Sequence, residues 1–181
     1  AGIDSIDQGI DQSTGQKDTS DFCLVIKKRN YGLDGNKYVA IYKDRPENIR
    51  TAYNQTILLL EWYGAKAVLE SSRTAIVSYF QDKGKQYLLM KKLQSPNSTD
   101  VSKKKSLNSS MYGIYPSKRV IEYYLELIQD YVNEFWDRID CIEMLNELKD
   151  YSYENKRKFD IIAAMGIDLV CPSLKKFKVI K

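Results

Sequence analysis

Three acidic residues stand where a folded chain would normally place apolar side chains. Asp4 lies in "AGIDSID", which predicts an opening β-strand although aspartate is depleted in strands. Glu70 ends the apolar run "AKAVLE", and Asp160 begins "FDIIAAMGIDLV", a segment hydrophobic almost all round and typical of a buried helix. Because an unpaired charge is costly to bury, each acid is a candidate functional group.

The chain contains no histidine, and this absence limits its chemistry. It excludes Ser-His and Cys-His nucleophilic catalysis, imidazole general bases and histidine-ligated zinc. Three carboxylates that meet resist ionising together, and a divalent cation removes that penalty. Mg²⁺ prefers oxygen ligands, and two such ions about 3.5–4 Å apart activate a water in phosphodiester cleavage. We therefore expect Asp4, Glu70 and Asp160 to be catalytic metal ligands for two Mg²⁺ or Mn²⁺ ions.

Each acid also has an ordinary structural explanation. Alternation along a strand places Asp4 and Asp7 on opposite faces, and both can be solvated at a polar strand end. Glu70 can be a solvated strand terminus, and Asp160 can serve the helix macrodipole from the first turn of its helix. These alternatives stay open for each residue taken singly.

The elements that must position these acids alternate between strand and helix patterns. The patterns predict strands at 1–8, 22–29, 37–43, 65–70 and 86–90, and helices at 47–63, 71–83, 117–135, 139–150 and 157–170. Ser71 and Ser72 are candidate caps for the helix after Glu70. An antiparallel hairpin followed by βαβ crossovers predicts an α/β fold with a mixed central sheet covered by helices. If the strands of Asp4 and Glu70 are parallel neighbours, their carboxylates meet at one edge of that sheet.

Length and composition are those of one ordinary domain. We expect a single domain over 1–181, because 181 residues can form one sizeable core, and no apolar run approaches the ~20 residues of a membrane span. Cys23, Cys141 and Cys171 are odd in number and widely spaced, so we expect reduced thiols and no disulfide framework.

Basic residues are concentrated in segments that can bind an anionic polymer. We predict a long basic loop at 91–116 and a basic tail at 171–181. A nuclease needs cations to hold phosphates, although a solvated surface is the alternative for any run of lysines. The candidate DNA-binding residues are Arg73, Lys91, Lys92, Lys103, Lys104, Lys105, Lys156, Arg157 and Lys158.

The segments "AGIDSID", "AVLES" and "KRKFDIIAAMGI", in this order and spacing, resemble the nuclease domain of the large terminase subunit of tailed bacteriophages. The resemblance covers about residues 1–170. It implies an RNase H-like fold with a five-stranded mixed sheet, antiparallel in its first three strands and parallel afterwards. It also implies an auxiliary metal ligand in the loop after the first strand, at Asp18, with Asp7 and Asp21 as alternatives.

The function implied by the resemblance is an endonuclease that cuts double-stranded viral DNA concatemers during genome packaging in the host cytoplasm. No "GxxxxGK[ST]" motif occurs, so we expect the C-terminal part of a longer terminase, whose partners are an ATPase motor domain, the portal and the small terminase subunit, with no membrane. One alternative is another RNase H-like enzyme, either a junction resolvase or an RNA–DNA hybrid nuclease. The other is a non-catalytic DNA- or portal-binding module with a decayed metal site.

Overall fold

The computed structural model describes residues 1–6, 20–29, 32–91, 111–152 and 159–175. Within these ranges the chain forms four strands and five α-helices. The strands are β1 (Gly2–Asp4), β2 (Phe22–Lys27), β3 (Tyr38–Asp44) and β4 (Val68–Leu69). The helices are α1 (Ile49–Trp62), α2 (Thr74–Asp82), α3 (Lys118–Phe135), α4 (Ile142–Asp150) and α5 (Asp160–Lys175), with short 3₁₀ helices at Gln86–Leu88 and Trp136–Arg138.

The strands form one open mixed sheet in the order β3-β2-β1-β4. β1 and β3 each pair antiparallel with β2, whereas β1 and β4 are parallel. This arrangement confirms the predicted α/β class and mixed sheet. The strands leading to Asp4 and Glu70 are parallel neighbours, which is the condition for the two carboxylates to lie at one edge of the sheet.

A fifth strand is not formed at 86–90. Gln86–Leu88 is a 3₁₀ helix, and only Leu89 reaches the sheet there, in a single parallel bridge to Ala67. The strand prediction was wrong because a short apolar run does not by itself distinguish a strand from a helical turn.

Farther along the same edge, residues from the end of the predicted 91–116 loop complete the pairing. Ile114 forms a parallel bridge with Glu70, and Tyr112 forms an antiparallel bridge with Lys91. The outer edge of β4 is therefore covered by two short segments, one on each side of residues 92–110.

Alternation along the strands separates two apolar cores. On one face of the sheet, Val25 and Val68 belong to a core that contains residues of α3, α4 and α5. On the other face, Leu24 and Leu69 belong to a core that includes α1 and α2. Helices thus cover both faces, and α5 lies across β1 and β2 on the first face.

α5 approaches β1 most closely at Gly2. A Cβ atom added to Gly2 would lie 2.0 Å from the carbonyl oxygen of Ala164 and 2.7 Å from the backbone nitrogen of Asp168. Glycine is the residue that allows two backbones to approach this closely. This contact places the start of β1 directly beneath α5.

The ends of two helices differ from the sequence prediction. α5 continues through Lys175, so residues 171–175 are helical and only the remainder of the predicted basic tail lies outside the described chain. α2 begins after Arg73 without a side-chain cap, and the predicted capping by Ser71 and Ser72 was wrong. The Ser72 hydroxyl instead donates a 3.4 Å hydrogen bond to Glu70.

The three cysteines form no disulfide, which confirms the expected thiols. Cys23 and Cys171 are buried, and the Cys171 thiol contacts the Met90 sulfur at 3.3 Å. Across the part of the chain that the structure describes, no helix is long and apolar enough to cross a membrane.

Candidate metal centre

A row of polar side chains crosses the sheet at the ends of β1 and β4. Asp4 pairs in register with Cys23, and Cys23 pairs with Lys43. Glu70 follows β4, one residue beyond the last paired position between β1 and β4. Because residues paired across a sheet direct their side chains to the same face, the four side chains share the face that α5 covers.

Asp160 enters this region from the N-terminus of α5. Its carboxylate lies 3.4 Å from the Lys43 ammonium and accepts a hydrogen bond from the backbone N–H of Asp21. Burial raises the pKa of Asp160, although the Asp21 N–H and the Lys43 charge both oppose that shift. Asp160 is thus a buried acid held by two defined partners.

The buried Cys23 thiol shows how the acids are grouped. Burial raises the pKa of Cys23 well above its usual value, and the negative charges of Asp4, Glu147 and Asp160 raise it further. Asp4 and Asp160 therefore act on the same thiol, one from β1 and the other from α5.

Lys43 lies among three carboxylates. Its ammonium is 2.8 Å from Glu147, 3.4 Å from Asp160 and 3.8 Å from Asp21. Burial opposes the charge of Lys43, but hydrogen bonds and attraction to Glu147 and Asp160 outweigh that effect and raise its pKa. Lys43 is therefore a permanent cation within the acid cluster.

Glu147 joins α4 to the start of α5. One of its oxygens binds Lys43, and the other accepts hydrogen bonds from the backbone N–H groups of Ile161 and Ile162 at 3.0 and 3.2 Å. An anion at this position is stabilised by the N-terminal end of the helix dipole. The sequence carries no signal that marks Lys43 or Glu147, because each occupies an ordinary amphipathic position and the two residues are 104 positions apart.

Glu70 has two polar neighbours from its own turn. Its carboxylate accepts the Ser72 hydroxyl hydrogen bond and lies 3.8 Å from Nε of Arg73. Both the Glu70 and the Arg73 side chains are partly exposed, so an incoming phosphate can reach this pair from solvent. Arg73 thus lies beside a predicted metal ligand, as a phosphate-binding residue would.

The Tyr124 hydroxyl is a buried donor beside the two strand-end acids. Tyr124 is 6% exposed, and its hydroxyl has no hydrogen-bond partner among the described residues. Burial raises the pKa of Tyr124, and the charges of Glu70 and Asp4 raise it further. The ring packs against Gly166, where an added Cβ would lie 2.9 Å from the ring.

The structure describes some of the predicted site residues and not others. Asp4, Glu70 and Asp160 all lie on one side of the sheet, and Asp21 is the one candidate auxiliary ligand within the described ranges. Lys91 is exposed and forms a bridge with Tyr112, close to the Ile114 that pairs with Glu70. The predicted residues outside the described ranges are Asp7, Asp18, Lys92, Lys103, Lys104, Lys105, Lys156, Arg157 and Lys158.

The donor chemistry at Asp4 and Glu70 suits a divalent cation. Mg²⁺ is commonly held by one or two carboxylates, with water and phosphate completing the shell. Within the described ranges, however, no three acidic or cysteine side chains are grouped so that they could hold one ion. Asp160, the third acid, is engaged by Lys43 and would have to exchange that partner to join the other two.

No family model, curated protein or solved structure matches the chain. A functional assignment therefore depends on the geometry of the site. In that geometry the carboxylates of Asp4 and Glu70 lie at the ends of parallel strands, and the carboxylate of Asp160 lies at the start of α5. The Lys43 ammonium contacts both Asp160 and Glu147.

Proposed function

We propose that the chain is a metal-dependent endonuclease domain that cleaves double-stranded DNA, with Asp4, Glu70 and Asp160 as catalytic metal ligands. The observation that carries the proposal is the position of Asp4 and Glu70 at the ends of neighbouring parallel strands, on the face covered by α5. Ligand sites of open α/β sheets lie at such strand ends. Asp21 is proposed as the auxiliary ligand among the described candidates, because its carboxylate and that of Asp160 both lie within 4 Å of the Lys43 ammonium, at 3.8 and 3.4 Å.

The proposed cofactor is a pair of Mg²⁺ or Mn²⁺ ions. When bound, these ions would supply an activated water and stabilise the leaving oxygen of the phosphodiester. Asp4 and Glu70 would hold them at the sheet edge, and Arg73 would bind the phosphate beside Glu70. The Tyr124 hydroxyl would donate to a ligand water near the same two acids.

We further propose that this nuclease belongs to the large terminase subunit of a tailed bacteriophage. The three quoted sequence segments support the proposal, as does a mixed sheet whose first three strands are antiparallel. The domain would then cut concatemeric viral DNA during genome packaging in the host cytoplasm, together with an ATPase motor domain, the portal and the small terminase subunit.

The decisive experiment is digestion of supercoiled plasmid in Mn²⁺ by the wild type and by Glu70→Gln. We expect Glu70→Gln to lose about a hundredfold or more of the cleavage rate, as when one group that stabilises a transition state is removed. Glu126→Gln, on the exposed surface of α3, is the matched control and should cut like the wild type. Equal digestion by wild type and Glu70→Gln would exclude the proposed site.

A second candidate is a non-catalytic DNA-binding module, and one observation favours it. Lys43 already forms ion pairs with Asp160 and Glu147, as it would in a cluster that serves only stability. Such a module would retard duplex DNA in a gel without cutting it in Mn²⁺ or Mg²⁺. If the chain does cut, a comparison of duplex, four-way junction and RNA–DNA hybrid substrates separates the terminase-like activity from the other RNase H-like activities.

A further inference from the structure

Lys43 connects three parts of the fold at the candidate site. It belongs to β3, and its ammonium reaches Glu147 of α4 and Asp160 of α5, more than 100 residues away. The side chains of Asp160 and Glu147 are only 8% and 12% exposed. Two carboxylates in such surroundings repel each other strongly unless a cation lies between them.

The same ammonium stands where it would oppose a metal ion. A divalent cation held by Asp160 would lie within a few ångströms of Lys43, and like charges at that distance repel each other. Asp160 cannot bind Lys43 and a metal at full strength together. One cation must displace the other from this carboxylate.

The partners of Lys43 make such an exchange feasible. Its contact with Glu147, at 2.8 Å, is shorter than its contact with Asp160, at 3.4 Å. If Asp160 turns away, Lys43 keeps Glu147 and has Asp21 at 3.8 Å. The Lys43 ammonium therefore keeps a carboxylate partner throughout the exchange. A buried ammonium without such a partner would be strongly destabilising.

We propose that Lys43 is the resident counter-cation of this site, a positioning residue that holds Asp160 while no metal is bound and yields Asp160 when one binds. The inference rests on the proposed function, because it assumes that Asp160 is a metal ligand. It predicts opposite effects of removing the charge: the metal-free protein loses stability, whereas its affinity for the metal increases.

The experiment compares Lys43→Met with the wild type in two measurements. Isothermal titration with Mn²⁺ should show about tenfold tighter binding for Lys43→Met, because a positive charge close to the ion is gone. The metal-free thermal midpoint should fall by several degrees, roughly 5 °C, because two buried acids lose their counter-charge. Lys43→Gln, which keeps hydrogen-bond donors but not the charge, serves as a second variant should the methionine variant not fold.

Two controls separate charge from packing. Lys43→Arg keeps the positive charge and should bind Mn²⁺ with an affinity close to that of the wild type. Lys85→Met removes a partly exposed lysine that pairs with Glu61 on a different surface, and it should leave Mn²⁺ affinity unchanged.

The outcomes distinguish this inference from the proposed function. If the wild type binds Mn²⁺ and both neutral variants bind equally or more weakly, Lys43 does not compete with the metal, and this inference is overturned while the nuclease proposal stands. If the wild type binds no Mn²⁺ and does not cut DNA, both are overturned. Tighter binding by a neutral variant, together with a lower metal-free midpoint, supports the inference.

Discussion

Asp4 and Glu70 end two parallel strands at equivalent positions, each one residue beyond the Ile3–Leu69 pair. Parallel strands lie about 4.8 Å apart, so their last side chains on one face are neighbours. Two carboxylates at that spacing repel each other when both are ionised, and under the proposed function a divalent cation would offset that repulsion.

Bound metal should stabilise the folded chain through Asp4 and Glu70. A ligand present at 100 times its Kd adds about 2.7 kcal/mol, which for a chain of this size raises Tm by roughly 5–10 °C. Thermal unfolding at increasing Mn²⁺ concentration measures this shift. Asp4→Asn and Glu70→Gln should each remove most of it, whereas Glu126→Gln should retain it. An unchanged shift in Asp4→Asn would remove Asp4 from the ligand set.

Tyr124→Phe should weaken metal binding without unfolding the protein. The substitution removes only the buried hydroxyl beside Glu70 and Asp4, while the ring still packs against Gly166. Loss of an outer hydrogen bond of this kind costs about 10–100-fold in metal affinity. Titration with Mn²⁺ provides the measurement, and Tyr123→Phe, the neighbouring residue on α3, provides the control.

A different result for Tyr124→Phe would point to a purely structural tyrosine. If its hydroxyl is simply unsatisfied, its removal relieves a desolvation cost. The variant would then have a higher Tm and the same Mn²⁺ affinity as the wild type.

Asp168→Asn should destabilise the chain at neutral pH. Asp168 is buried, lies 3.1 Å from the Lys27 ammonium and accepts a 3.3 Å hydrogen bond from the Tyr38 hydroxyl. Removing one member of a buried ion pair leaves the other charge uncompensated, and the cost is about 3–5 kcal/mol. Urea unfolding of the two proteins at pH 7 measures the difference.

The loss of stability caused by Asp168→Asn should become smaller as the pH falls. Burial alone would raise the pKa of Asp168, but nearby positive charge, including the Lys27 ammonium, outweighs that effect and lowers the pKa. The stabilisation by Asp168 is therefore fully present above its unfolded pKa of about 3.9, and it is lost as the pH falls through the lower folded value. The difference in free energy of unfolding between the wild type and Asp168→Asn should become smaller below about pH 4. A constant difference from pH 7 to pH 2 would show that charge does not cause it.

Gly2→Ala should be more damaging than Gly166→Ala. The new methyl group at Gly2 would lie 2.0 Å from the backbone carbonyl oxygen of Ala164, whereas at Gly166 it would lie 2.9 Å from the nearest ring atoms of Tyr124. Overpacking costs about 1–3 kcal/mol, and more where backbone must move. Chemical denaturation of both variants gives the comparison, and similar losses would show that β1 and α5 can separate easily.

The positions of the three acids on their strands and helix could be predicted from the sequence, because those positions depend on local patterns. Alternation in "AGIDSID" and the end of the apolar run at Glu70 place two acids at strand ends, and the structure shows those strands to be parallel neighbours. Asp160 is found at the first turn of a buried helix, as its surroundings indicate. Short-range periodicity is sufficient for such placements.

The partners of the acids could not be predicted in the same way. Lys43 meets Glu147 across 104 residues, and neither residue departs from the normal pattern of its own element. Tyr124 belongs to an apolar helix face, where a tyrosine is most simply a packing residue. These contacts depend on how α3, α4 and α5 pack on the sheet, and a single sequence carries no direct signal of that packing.

The bridge between Lys91 and Tyr112 has a consequence for how this architecture can vary. The bridge brings the two ends of the 92–110 segment together at the sheet, so the segment can change length without moving β4. Closing a loop becomes costlier only with the logarithm of its length, by about 0.6 kcal/mol for each doubling. We therefore expect a change in the number of residues between Lys91 and Tyr112 to leave the pairing of Glu70 with Ile114 intact.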